Sequence, residues 1–262
     1  MAETTHRRII IGDVHGHYKG LQELLGAIAP GKADQVYLLG DLVDRGPQSP
    51  EVVSFVREHG YSCLLGNHEQ LFLESFPDGK IASNALQAWL YSGGQTTVES
   101  YMNRENGIDL LIEHVKWLAT LPTYLDLGDV WLAHAGVDPK LSVEMQTTHE
   151  LCWVREEFLS IPEPYFPDKL IITGHTITFT LPGVSPGEVA QGYGWMDIDT
   201  GAYHPKSGWL TGLDLTHQMV YQFNVYQNCS RKLPLAEITT WVDPSDITDR
   251  YQHLRKQSAV SP

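Results

Sequence analysis

No apolar run in this chain of 262 residues approaches the ~20 that a membrane span requires. The opening stretch, Met1 to Arg8, carries two arginines, but Ile9-Ile10-Ile11 is cut at once by Gly12-Asp13, which argues against a signal peptide. Cysteine is scarce. Cys63, Cys152 and Cys229 are an odd, scattered set. They read as reduced, buried thiols of a cytoplasmic protein rather than as a disulfide framework, and none has the local pairing of a zinc knuckle. Positive charge is also short: Lys and Arg number 18 against 32 Asp and Glu, a net charge of −14. With no Lys/Arg-rich run, neither a nucleic-acid footprint nor a membrane surface is expected as partner. An acidic chain repels anions at long range, so any phosphate site must carry its own local positive charge. Internal repeats and Pro- or Ser-rich linkers are missing too, and the length suits one domain over 1–262.

What is present is a recurring pattern. A short apolar run ends in Gly or Ala, and a residue able to bind metal follows. The cases are Ile9-Ile10-Ile11-Gly12-Asp13, Tyr37-Leu38-Leu39-Gly40-Asp41, Leu64-Leu65-Gly66-Asn67, Val130-Trp131-Leu132-Ala133-His134 and Leu170-Ile171-Ile172-Thr173-Gly174-His175. Such runs read as buried strands. A small residue at the strand end lets backbone approach a ligand closely, and ligands bind α/β sheets at the carboxyl ends of strands.

Helices are expected between the first runs. Leu21, Leu24, Leu25 and Ile28 make one face, ended by Pro30-Gly31. Ser49 reads as an N-cap with Pro50 at the first helical position, Val52, Val53 and Val56 as the apolar face, and Gly60 as the stop. This order implies right-handed crossovers and parallel neighbours. Residues 70–120 read as mostly helical. Leu86, Trp89 and Leu90 form a face stopped by Gly93-Gly94, Thr96 and Glu99 offer a capping box, and Leu110, Leu111, Val115 and Leu118 form another face. Later strands are expected at Met196–Asp199, Trp209–Leu215, Met219–Tyr226 and Leu235–Val242. A polar helix follows from about residue 245, then a frayed tail to 262.

Asp13, His15, Asp41, Asn67, His134 and His175 thus collect at strand ends. Mixed imidazole and carboxylate ligands suit Mn, Fe or Zn better than Mg or Ca. Six groups are too many for one open catalytic ion and suit two ions sharing a carboxylate. His17, His59, His114, His149, His204, His217 and His253 lie outside this pattern and read as structural or surface residues. Trp89, Trp117 and Trp131 fit apolar faces and read as core.

These blocks resemble a known family. Gly12-Asp13-Val14-His15-Gly16, Gly40-Asp41-Leu42-Val43-Asp44-Arg45-Gly46 and Gly66-Asn67-His68-Glu69 are similar to the three signature blocks of the PPP-type metallophosphatases. His134-Ala135-Gly136, Gly174-His175-Thr176 and Ile198-Asp199-Thr200-Gly201 resemble the later ones. The likeness runs from about residue 9 to 215 and is strongest to small bacterial and phage serine/threonine phosphatases. It implies an α/β fold, a metallophosphoesterase-like β-sandwich flanked by helices, with the metal ligands at strand C-terminal ends. By the resemblance, Asp13, His15 and Asp41 hold the first of two divalent transition-metal ions, Mn before Fe or Zn. Asp41, Asn67, His134 and His175 hold the second. His68 protonates the leaving oxygen and is oriented by Asp44. Arg45, Asn67 and Arg155 bind the substrate phosphate, Arg155 by the likeness of Trp153-Val154-Arg155 to a segment of the phage enzymes. The implied reaction is direct attack of a metal-bridging hydroxide on a phosphomonoester, phosphoserine or phosphothreonine in a protein, with no phosphoenzyme.

A related branch hydrolyses dinucleoside tetraphosphates. It often has Ala where this chain has Asp44, Asp where it has Glu69, and a long helical insertion between the last two His blocks. Here His134 and His175 are 41 positions apart (175 − 134), which favours the phosphatase. Leu65 stands where many eukaryotic relatives have Arg, so a charge near the substrate entrance is missing. A third reading, a degenerate fold that only binds phosphate, requires a lost ligand, and none is lost.

Overall fold

The computed structural model describes residues 6–77 and 82–258. The reading of the N-terminus begins in residues 1–5 and the expected tail ends in 259–262; both stretches lie outside the described residues. The first half holds β1 (Arg8–Ile11), α1 (Tyr18–Ile28), β2 (Gln35–Leu38), α2 (Ser49–Glu58), β3 (Ser62–Cys63), α3 (Asn67–Ser75), α4 (Ser83–Trp89), α5 (Gln95–Met102) and α6 (Gly107–Leu118). Then come β4 (Tyr124–Asp126), β5 (Val130–Ala133), α7 (Thr148–Trp153), α8 (Glu156–Leu159), β6 (Leu170–Thr173), β7 (Val189–Gly192) and β8 (Trp195–Asp197). The chain closes with β9 (Trp209–Asp214), β10 (Met219–Asn224), β11 (Cys229–Pro234), α9 (Leu235–Ile238), β12 (Thr239–Trp241) and α10 (Pro244–Ser258).

Two sheets form. One has the order β11-β10-β9-β1-β2-β3, the other β12-β7-β8-β6-β5-β4. β1, β2 and β3 run parallel, as do β5, β6 and β8, so each trio delivers its carboxyl ends to one edge. The period-2 alternation of strand side chains explains the layering. Ile10 joins Leu39, Leu132, Ile172 and Met196 in a core between the sheets. Its neighbours Ile9 and Ile11 face Leu21 and Leu24 of α1 and Val52 and Val56 of α2. On the outer face of the second sheet, Trp131, Ile171 and Trp195 pack with Leu151, Phe158 and Ile247. The result is a sandwich of two mixed sheets with helices on both outer faces. None of the described helices is long and apolar enough to cross a membrane.

Several local expectations fail for identifiable reasons. Gly93-Gly94 does not stop its helix. The chain passes through a π turn at Leu90–Gly94, with Gly93 at φ 115°, and continues as α5. Thr96 therefore lies inside α5, and its hydroxyl donates back to the Gly93 carbonyl at 3.0 Å instead of capping. Ser49 is no side-chain cap either, because its hydroxyl accepts the Asp44 amide at 3.1 Å. Leu235–Val242 is not one strand: α9 occupies its first half, burying Leu235 and Ile238 on one side. Cys63 and Cys152 are buried, but Cys229 is exposed on the outermost strand of the first sheet.

Candidate active site

Asp13, Asp41 and Asn67 follow β1, β2 and β3 of one sheet, whereas His134 and His175 follow β5 and β6 of the other. The strand ends are bent sharply to aim these groups inward. Among the described residues eight non-glycine residues have positive φ, and five of them belong here: His15, Asp41, Asp44, Arg45 and His175. Residues held in this strained region cluster where surrounding structure over-determines them, often at functional sites. Gly174 shows the closeness of the packing: a Cβ there would lie 2.1 Å from Oδ1 of Asp13.

The histidine tautomers follow from backbone carbonyls, which can only accept. His134 donates from Nδ1 to the Leu39 carbonyl at 2.8 Å, and His15 donates from Nδ1 to the Val43 carbonyl at 2.9 Å. Burial holds both imidazoles below their ordinary pKa, so each is neutral with a bare lone pair at Nε2. For His134 that lone pair faces Oδ1 of Asn67 at 2.9 Å and Oδ1 of Asp41 at 3.3 Å. For His15 it faces Oδ2 of Asp41 at 3.5 Å. Imidazole lone pairs and carboxylate oxygens therefore converge on both sides of Asp41, which takes one donor, the His68 amide at 3.0 Å; a cation resolves the remaining acceptor pairs. Burial alone would raise the Asp41 pKa, whereas a proton on any of the imidazoles around it, His134, His68, His15 or His175, lowers it. Asp13 moves the other way, pushed up by burial and by Asp199, Asp41 and Asp197. That surplus of buried negative charge calls for positive charge nearby. His175 adds a buried Nε2 without a partner.

The donor set therefore fits metal ions. Two groups of side-chain atoms within 4.8 Å of one another share Asp41: His15, Asp41 and His68, and Asp13, Asp41 and His134. Asp41 is thus within reach of His15 on one side and of Asp13 and His134 on the other.

The remaining expected residues surround the cleft. His68 donates from Nδ1 to Oδ2 of Asp44 at 2.6 Å, and its Nε2 accepts from Nη2 of Arg45 at 2.8 Å. Burial works against protonation of His68, but Asp41 and Asp44 outweigh it and raise its pKa. Arg155 donates to Oγ1 of Thr176 at 3.1 Å and to the His175 carbonyl at 3.3 Å. A cleft of about 130 Å³ is lined by His15, Asp41, Arg45, Asn67, His68, Arg155 and His175. Asp13, His134 and Asp44 are buried beneath its walls. All the residues singled out in the sequence therefore meet in one place.

Others were not foreseen. Asp199 and Tyr203 also line the cleft, and burial pushes the Asp199 carboxyl up to about 6. The Arg45 guanidinium lies 3.9 Å over the Tyr203 ring. Trp89, read as core, is buried, yet its indole N–H reaches both Asp44 oxygens at 3.0 and 2.8 Å. The signals were small: Asp199 and Tyr203 sit in or just after Asp199-Thr200-Gly201, and Trp89 stands four residues before Gly93-Gly94.

The chain is similar to known proteins. Residues 6–184 match the model of the calcineurin-like phosphoesterases. Serine/threonine-protein phosphatase 2 of Escherichia coli K12 is 34% identical over 107 residues, 40% of this chain and 46% of that protein. A symmetrical bis(5'-nucleosyl)-tetraphosphatase of Chromobacterium violaceum is 35% identical over 138 residues, 51% of this chain and 44% of its own length. Each alignment thus spans less than half of the relative. The fold is similar to the crystal structure of a protein inferred to be a diadenosine tetraphosphatase, with a TM-score of 0.58 and 20% identity, covering 89% of this chain and 96% of that one.

Proposed function

The chain belongs to the calcineurin-like phosphoesterase family, and from that membership we propose that it is a dinuclear-metal phosphomonoesterase whose substrates are phosphoserine and phosphothreonine in proteins. The observation that carries this reading is the buried His68–Asp44 pair at 2.6 Å, placed so that Nε2 of His68 meets the cleft beside Arg45. A serine or threonine alkoxide leaves poorly without a proton, and an imidazole oriented by a buried carboxylate can deliver one.

Asp13, His15, Asp41, Asn67, His134 and His175 would hold the two ions, with Mn preferred and Fe or Zn the alternatives. Bound there, the ions would supply Lewis acidity to water and offset charge on the phosphoryl oxygens. Arg45, in the loop between β2 and α2, and Arg155, between α7 and α8, both line the cleft, and a planar guanidinium can meet two phosphate oxygens at once. Asn67 turns Oδ1 toward His134 and His175, which leaves its amide N–H₂ to donate to phosphate. Water loses a proton to solvent, its oxygen enters at phosphorus and the bond to the ester oxygen breaks; His68, protonated at Nε2 when Arg45 turns from it to the phosphate, gives the ester oxygen its proton and recovers one from solvent.

The second reading is a symmetrical dinucleoside tetraphosphate hydrolase, favoured by the relative of that name aligned over 51% of the chain. Against it stand Asp44 behind His68 and the short α7 and α8 that occupy the 41 positions from His134 to His175 (175 − 134). A panel of phosphoserine, phosphothreonine and phosphotyrosine peptides, p-nitrophenyl phosphate and diadenosine tetraphosphate, assayed with Mn, tests the choice. Faster turnover of phosphoserine and phosphothreonine peptides is expected. Equal or faster turnover of the dinucleotide replaces this reading with the second.

A further inference from the structure

Asp44 and Arg45 are consecutive left-handed residues, at φ 72° and 68°. Each such residue costs about 1–3 kcal/mol unless its surroundings enforce it. Besides the Ser49 hydroxyl of α2, the enforcement comes from outside every motif of the site, from the bent helix made of α4, the π turn and α5. Thr97 accepts the Asp44 amide at 2.9 Å and donates its hydroxyl to Oδ1 of Asp44 at 2.7 Å. The Gly93 carbonyl accepts the Arg45 amide at 3.1 Å. Trp89 donates its indole N–H to both oxygens of the same carboxylate.

The bend makes this possible. A Cβ on Gly94 would lie 2.4 Å from the Trp89 ring, and one on Gly93 would lie 2.8 Å from Cγ of Arg45. Neither position tolerates a side chain, so the two glycines let the helix close on Trp89 and on the strained loop together. π turns inside helices recur at functional sites. The face of Trp89 has a second partner. It stacks on Phe72 at 4.6 Å with the rings 7° from parallel. Phe72 lies one turn beyond His68 on α3. Trp89 therefore grips Asp44 by its edge and the helix that carries His68 by its face.

We propose that Trp89 is a positioning residue, with Thr97 as its partner: the two fix the Asp44 carboxylate so that His68 presents Nε2 to the leaving oxygen. The proposal rests on the reading of His68 as proton donor. Trp89→Phe keeps an aromatic ring against Phe72 and removes only the N–H. It should lower kcat on a phosphoserine peptide on the order of tenfold, as expected for one lost charge-assisted hydrogen bond. The loss on p-nitrophenyl phosphate should be small, because that leaving group needs little proton help, with KM and metal content unchanged. In a His68→Asn background Trp89→Phe should add nothing. Equal losses on both substrates, wild-type kcat on both, or a fall in metal content would reduce Trp89 to packing. Should Trp89→Phe fail to fold, Thr97→Val must give the same leaving-group pattern, and its absence overturns the proposal. If His68→Asn itself treats both substrates alike, the proton-donor reading falls separately. The clamp is then judged by the ¹⁵N–¹H resonance of the Trp89 indole, which must shift in Asp44→Asn; no shift overturns it.

Discussion

Glu69 accepts the backbone amide of Asp41 at 2.7 Å, using a carboxylate that is not part of the cleft wall. The same side chain takes the amides of Leu42 at 2.8 Å, Val43 at 3.2 Å and Gly66 at 3.0 Å. It ties the start of α3 to the loop that carries Asp41. Glu69→Asp, one methylene shorter, leaves part of this amide set buried without an acceptor, at about 1–3 kcal/mol for each group. A lower melting temperature and weaker metal retention are expected. The ratio of phosphomonoester to dinucleotide turnover should stay as it is. A changed ratio would mean that Glu69 reads the substrate after all.

Asp41 alone belongs to both groups of candidate ligands. Elemental analysis of the native protein should find two transition-metal ions per chain, and chelation should abolish turnover. Asp41→Asn should lose both ions and more than about a hundredfold in activity, beyond what changes outside the ligand shell cause. Retention of both ions with near-native turnover would remove Asp41 from the bridging role.

Tyr203 supports the Arg45 guanidinium at 3.9 Å from its ring centre and touches His15 edge-on at 4.8 Å. A cation–π contact of this kind contributes about 0.5–2 kcal/mol. Tyr203→Leu should therefore raise KM and the inhibition constant of inorganic phosphate by roughly two- to thirtyfold. Tyr203→Phe should behave as the native chain does. Matching losses in the two variants would assign the effect to the hydroxyl rather than the ring.

Acid stability should depend on Asp34. Arg7 donates Nε to Asp34 at 2.9 Å while its guanidinium also reaches the Ile28 and Ala29 carbonyls at the end of α1. Burial works against the Asp34 carboxylate, but the bonds from Arg7 and from the Gly31 amide outweigh it and hold the pKa at about 2. A carboxyl depressed on folding stabilises the chain above its unfolded pKa and loses that contribution as pH falls through the folded one. Asp34→Asn should be less stable at neutral pH by about 1 kcal/mol, a small figure because the pair is close to solvent. The difference should shrink below about pH 4. Urea melts at several pH values measure it; a gap that does not change with pH would show that the pair does not set acid stability.

The strand ends were legible because each couples a buried run to a small residue and a polar one. β1, β2, β5 and β6 all lie where that pattern put them. The polar edges were not. β11, Cys-Ser-Arg-Lys-Leu-Pro, is half exposed and owes its extended form to pairing with β10, which no local pattern encodes. The bend at Gly93-Gly94 was misread because two glycines ordinarily end a helix. Here the Trp89 ring and Arg45 occupy the space where side chains would stand. Every expected site residue reached the cleft or its floor. The supports beneath them did not announce themselves: Trp89 and Phe72 look like ordinary core until the indole N–H is seen on Asp44.

Asp13, Asp41 and Asn67 hang from one leaf of the sandwich, and His134 and His175 from the other. Ions bridging that seam would act as a fastener between two halves otherwise joined by apolar contact and a few polar ones, such as His134 on the Leu39 carbonyl and Arg8 on Asp129. A ligand that binds only the folded form stabilises it by RT ln(1 + [L]/Kd). The durability of the whole sandwich would then track the free metal around it, and starving the molecule of metal would unzip the leaves from the catalytic edge inward. Catalysis and cohesion would fail together, because the same few atoms serve both.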